Sequence, residues 1–191
     1  MDQDLVSQFK QKYETLAGIV HIAENEDAAA EVVLQILKEA HGQRAAPGAL
    51  PDSLMQPIEA ACAGGGIAVL KPPFDKREMP HALDAAQVGV SWAALAVAET
   101  GSLVEFATDD ALRLVSALPR IHVAIFCARD LLATQKEAAA PIRDFFIANT
   151  RNATATFISG PSRTGDIEMR LTLGVHGPEV AHAVLINQCI Q

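Results

Sequence analysis

Aromatic side chains are scarce in this sequence: Phe, Tyr and Trp make up 5% of its 191 residues, with a single Trp and a single Tyr. Its core must therefore be built from Ala, Val, Ile and Leu, which dominate a hydrophobic fraction of 50%, and that composition points to the α/β class. Cysteine is equally sparse. Cys62, Cys127 and Cys189 lie far apart with no C-x-x-C pair, which excludes a zinc knuckle or an iron–sulfur cluster encoded within the chain and predicts buried thiols. No run of Lys and Arg is present and the formal charge is −8, so a nucleic-acid-binding surface is excluded. Long apolar runs are missing too. No stretch reaches the length of a membrane span, and the opening MDQDLVSQFKQKYE has no apolar signal core, so a cytoplasmic, reduced protein is expected. Asn152-Ala153-Thr154 spells a glycosylation sequon, which without a secretory signal is a chance match.

What is present is a steady alternation of strand and helix patterns, with no internal repeat, over a length that suits one domain, 1–191. Leu5, Phe9, Tyr13 and Leu16 predict an amphipathic helix forming an appendage over residues 1–17. Ile19–Ile22 reads as a strand, Asp27 to about Ala40 as a helix, Arg44–Leu50 as a weak strand, and Asp52–Cys62 as a helix interrupted by Pro57. The glycines of Ala63–Gly66 precede the strand Ile67–Leu70, whereas phosphate-binding loops follow one, so they are assigned to a turn. Leu95–Ala98 and Leu103–Phe106 are strands, Asp109–Leu118 a short helix, and Ile121–Ala128 a continuous apolar strand suited to a parallel sheet covered on both faces. Leu131–Asn149 predicts a long helix, followed by strands at Thr154–Ile158 and Ala181–Asn187. The expected architecture is a layered α/β sandwich with a mainly parallel sheet.

Two stretches carry chemistry. Glu99 sits at the break between two strands beside Gly101, a place where a carboxylate can meet a substrate that approaches the backbone. The Ser159-Gly160-Pro161-Ser162-Arg163-Thr164 loop precedes a segment in which Asp166 and Arg170 stand four apart, with Ile167 and Leu171 at helical spacing. A helix beginning between Ser162 and Asp166 would make the loop an anion cradle of free N–H groups, hydroxyls and the Arg163 guanidinium. Gly174-Val175-His176-Gly177-Pro178 adds a second turn, with a titratable His176. His122, at the head of its strand, is expected to be a hydrogen-bonded packing residue before it is a metal ligand, and no metal site is predicted.

Taken in order, Ala98-Glu99-Thr100-Gly101, Leu114-Val115-Ser116-x-x-Pro119 with His122, Ile158–Thr164 with Asp166-Ile167-Glu168, and Gly174–Pro178 resemble the LUD-domain family, specifically its lactate-utilisation protein C (YkgG) branch. The likeness is strongest from Asp84 to Asn187. Ser102 stands where that family usually has Thr, Gly165 where it has Ala, and Arg120 where Pro is common. The resemblance implies a three-layer α/β/α sandwich, the fold shared by CoA transferases, phosphosugar isomerases such as ribose-5-phosphate isomerase, and formyltetrahydrofolate cyclo-ligase. It also implies a part in oxidising L-lactate to pyruvate beside two partner subunits, one cysteine-rich and one carrying iron–sulfur clusters, with no cofactor in this chain. The site expected on these grounds binds a small carboxylate through Thr100, Gly101, Arg113, His122, Ser159, Gly160, Ser162, Arg163 and Thr164, with Glu99 and His176 as catalytic residues. Two rival expectations are a non-catalytic scaffold that docks the partner subunits and a CoA-transferase- or ligase-like enzyme acting through Glu99.

Overall fold

The computed structural model describes residues 2–167 and 170–190. In chain order the elements are α1 (Gln3–Thr15), β1 (Ile19–Ala23), α2 (Glu26–Glu39), β2 (Arg44–Pro47), α3 (Asp52–Gly64), β3 (Ala68–Val69), α4 (His81–Asp84), β4 (Val88–Trp92), β5 (Leu95–Val97) and β6 (Ser102–Ala107). They continue with α5 (Asp110–Val115), β7 (Ile121–Cys127), β8 (Leu131–Leu132), α6 (Ala139–Ala148), β9 (Thr154–Ile158), β10 (Arg163–Ile167), β11 (Arg170–Leu173) and β12 (Val180–Ile186).

Six strands form a parallel sheet in the order β1-β12-β7-β4-β2-β3. Alternation along the central strands sends side chains to two cores. On one face Val123, Ile125, Val184 and Ile186 pack against Val33, Leu37, Leu54 and Ile58 of α2 and α3. On the other, Ala124, Phe126, Ala183 and Leu185 meet Phe9 and Tyr13 of α1 together with Ala96 and Leu103 of a second sheet, ordered β8-β5-β6-β9. The parallel sheet flanked by helices is thus as expected, but a sheet of mixed direction shares the second face with α1, and that sheet's outer side is covered by Ile142 of α6 and by Ala138 just before it. Phe9 and Tyr13 are both wholly buried, so α1 is a working part of this core. Among the described residues no helix is long and apolar enough to cross a membrane.

Two predicted helices are corrected. Over 131–149, Leu131 and Leu132 pair with Ala96 and Val97 of β5, and the helix starts only at Ala139, with Pro141 in its first turn where a missing N–H costs nothing. The stretch after Ser162 is an antiparallel hairpin, β10 against β11, with Arg163 opposite Leu173 and Thr164 opposite Thr172. Pairing of the two strands overrides a four-residue periodicity that is compatible with either state, and β-branched Thr164 and Thr172 favour the extended form. Glu168, part of the quoted motif, lies outside the described residues. The cysteines also differ from expectation. Cys127, at the end of β7, is disulfide-bonded to Cys189 beyond β12, and only Cys62 is a buried free thiol.

Candidate functional site at the amino ends of the central strands

β7 and β12 begin side by side, with His122 in register with Ala181 on one flank and Gly89 on the other. Gly89 is required there because a Cβ would stand 2.0 Å from the Val115 carbonyl, so its absence lets the end of α5 close over the sheet. His122 and Ser91 share the face turned toward the second sheet, and from that sheet β6 sends Glu105 back between the layers. Ser91 Oγ lies 2.7 Å from His122 Nε2 and donates to Glu105 Oε1, which is itself 3.2 Å from His122 Nε2. All three are buried: His122 is 1% exposed, Ser91 7% and Glu105 8%. Burial pushes the Glu105 carboxyl up, but the hydrogen bond and charge of His122 and the hydroxyls of Ser91 and Ser116 outweigh it and hold the group below its ordinary value. Desolvation, with a contribution from the nearby Glu105 charge, pushes the Tyr13 hydroxyl well above its ordinary range.

Of these three, His122 lines an open cleft of about 490 Å³, together with Ser116, Ser159, Ser162 and His176 among others, while Ser91 and Glu105 stand behind it. Two backbone bonds build its rim: Ser162 N–H donates to the Pro178 carbonyl (2.9 Å) and Gly174 N–H to the Ser162 carbonyl (3.0 Å). The two Gly/Pro turns therefore meet, although no helix starts at either. A chain of hydroxyls, Thr100 to Ser102 at 2.8 Å and Ser102 to Ser159 at 2.7 Å, ties the rim to the β5–β6 turn.

The residues expected from sequence divide into two sets. His122, Ser159, Gly160, Ser162 and exposed His176 come together at the cleft, whereas Glu99, Thr100, Gly101, Arg113, Arg163 and Thr164 do not line it. Exposed Glu99 accepts from the Gln135 N–H at 3.0 Å. Arg113 is held by Asp110 (2.7 Å) and by Asn152, whose carbonyl and side-chain oxygens are 2.5 and 2.8 Å away. Arg163 donates to the Leu16 carbonyl (2.5 Å), just past α1. Gly101 and Gly160 have φ of +62° and +101°, and a Cβ on either would press on that same end of α1, 2.7 Å from Tyr13 N or 2.6 Å from Leu16 O. Glu99, Arg163 and His176 thus share no pocket, and much of the expected anion cradle grips α1 instead. Ser91 and Glu105 were missed, yet a carboxylate inside the apolar run Leu103–Phe106 was a visible signal.

Residues 6–186 match the LUD domain family. The chain belongs to that family. It is 34% identical over 117 residues to the lactate utilization protein C of Shouchella clausii, covering 60% of this chain and 51% of that protein. To the lactate utilization protein C of Bacillus subtilis it is 38% identical over 104 residues, 53% of this chain and 43% of the relative. The chain thus spans about half the length of the curated relatives it matches. The crystal structure of a DUF162 family protein from Deinococcus radiodurans superposes with a TM-score of 0.66 at 18% identity, covering 96% of each chain, which establishes a shared fold.

Within this LUD domain the donor set does not fit an iron–sulfur cluster, because Cys127 and Cys189 are bonded to each other and Cys62 is buried apart from them. No group of three or more His, Cys, Asp and Glu placed to hold a metal ion occurs among the described residues. What the cleft does offer is an imidazole backed by a carboxylate, with hydroxyls and a second imidazole at the rim. That set suits hydrogen bonding to a small anion and the movement of one proton.

Proposed function

We propose that this LUD domain chain serves in lactate utilisation, with the cleft over His122 receiving a small 2-hydroxycarboxylate such as L-lactate. The observation that carries the reading is the buried His122–Glu105 pair opening into a cleft rimmed by Ser159, Ser162 and His176. The substrate carboxylate accepts hydrogen bonds from the rim hydroxyls and from His176. Its hydroxyl proton passes to His122, for which Glu105 supplies the countercharge. Conversion of lactate to pyruvate also releases two electrons and a second proton, and the reading assigns the electrons to iron–sulfur and cysteine-rich partner subunits, the assembly that the resemblance implies.

Calorimetric titration of the chain with L-lactate, pyruvate and acyl-CoA tests the site. Saturable binding of lactate or pyruvate is expected, weakened about tenfold by His176→Ala and by Ser162→Ala, since each variant removes one hydrogen bond to a charged ligand. Silence toward both acids in a folded sample overturns the proposal. Such silence would favour the scaffold reading, which has one observation of its own: α6 buries no residue fully and presents Phe146 and Ile147 at 43% and 68% exposure. Glu99, bonded to the Gln135 N–H away from the cleft, lends no support to the transferase reading.

A further inference from the structure

A second cleft, also of about 490 Å³, lies at the opposite end of the parallel sheet, where β4 delivers Trp92 and β7 delivers Cys127. Open parallel sheets place ligands outside the carboxyl ends of their strands, so this end is the ordinary position for a site. Its wall holds Glu26, 4% exposed. One Glu26 oxygen accepts from the Ile190 N–H at 2.7 Å, while Oε2 has no hydrogen-bond partner among the described residues. A desolvated carboxylate oxygen without a partner is costly and calls for a donor. Arg129 does not supply it: that side chain also lines the cleft but is turned to Asp130 at 3.9 Å.

The segment 187–190 lies over Glu26 like a strap. Asn187 and Gln188 donate their N–H groups to the Ala23 and Glu24 carbonyls at 2.9 and 3.0 Å, and their side chains bond the Glu24 carboxylate. Cys189 is fixed to Cys127 in the cleft wall. Ile190 is 66% exposed, so little apolar burial holds the strap, and what does hold it is hydrogen bonds and one covalent link.

We propose that this cleft binds a small planar cation of the amidine or guanidine class, and that the Cys127–Cys189 bond holds the strap over Glu26. On reduction the S–S bond breaks, a dithiol supplies two electrons, each sulfur takes up a proton, and the reductant leaves as its own disulfide. With the strap lifted both Glu26 oxygens are free, which is the geometry that the two parallel N–H donors of an amidinium require. Trp92 lines the same cleft, where an indole attracts a planar cation, and Asp52 and Asp130 add negative charge.

Trp92 is the only tryptophan, so its emission reports this cleft without labelling. Benzamidine is titrated into the oxidised full chain, the chain treated with dithiothreitol, and the Cys189→Ser, Glu26→Gln and doubly substituted variants, with circular dichroism confirming the fold. Saturable change in Trp92 emission is expected at least tenfold tighter in the reduced chain and in Cys189→Ser than in the oxidised chain. Adding Glu26→Gln to the reduced state is expected to remove at least tenfold of that affinity. Equal binding before and after reduction overturns the gate, and binding indifferent to Glu26→Gln overturns the site. Should Cys189→Ser not fold, the chemically reduced wild-type chain decides both points. Lactate at saturating concentration leaves the titration unchanged, since it addresses the opposite end of the sheet.

Discussion

The two ends of the parallel sheet handle buried charge in opposite ways. At the amino end Glu105 is brought in from another sheet and finds both an imidazole and hydroxyls, so the cluster is satisfied and the cleft above it stands open. At the carboxyl end Glu26 is bonded through one oxygen only, and a strap closed by a disulfide covers it. A paired charge can remain buried beside an open cleft because its partner replaces water. A half-paired charge beside a cleft is kept from solvent only by something that holds the lid down.

The heaviest blow to this contrast is removal of the covalent link. Replacing Cys127 and Cys189 together by Ser is expected to cost about 4 kcal/mol in urea unfolding, the chain-entropy value for bridged residues 62 apart in sequence. A loss below about 1 kcal/mol would break the claim that the carboxyl end depends on covalent closure. At the amino end, His122→Ala leaves Glu105 buried without its imidazole and is expected to cost about 3 kcal/mol, most of which returns when Glu105→Leu is added. Independent, additive costs for the two substitutions would deny that they form one unit.

A third test uses a histidine with no carboxylate in contact. His182 lies on the sheet face opposite His122, 2.9 Å from His21, and is lowered to about 4 by burial and by the His21 charge, with Glu39 acting weakly the other way. Since the unfolded chain takes up this proton near the ordinary imidazole value of 6.5 and the folded chain only near 4, stability falls as pH drops through that window. Between pH 7.5 and 5 the loss is about 2 kcal/mol, and His182→Asn should flatten the slope. Glu105, with its pKa lowered, behaves differently: its contribution stays intact down to the ordinary glutamate range and is lost only as pH falls further. The smallest effect is expected from Arg163→Lys. It should cost less than about 1 kcal/mol, as for one exposed hydrogen bond to the Leu16 carbonyl, and leave carboxylate binding at the amino-end cleft within about threefold. A tenfold loss of binding would return Arg163 to the site.

Most of the strands were legible from their residues, because Ile121–Ala128 and Thr154–Ile158 state their preference locally. The antiparallel pair after Ser162 was not, since its stability comes from pairing Thr164 with Thr172 on the facing strand and from the tie of Ser162 to Pro178. The candidate site was legible by half. Its loops announced themselves through Gly, Pro, Ser and His, whereas the partners of His122 come from strands 17 and more residues away.

Composition, charge and periodicity on their own determined an α/β chain with a parallel sheet, no cluster-binding cysteine motif, one turn rich in hydroxyls and a second holding His176, because each of these is a property of neighbouring residues. Only the tertiary structure decided that Glu105 and Ser91 stand behind His122, that Gly101, Gly160 and Arg163 hold α1, and that Cys127 meets Cys189. Those contacts join residues distant in sequence, and they form only when two sheets and a helix are packed around one core.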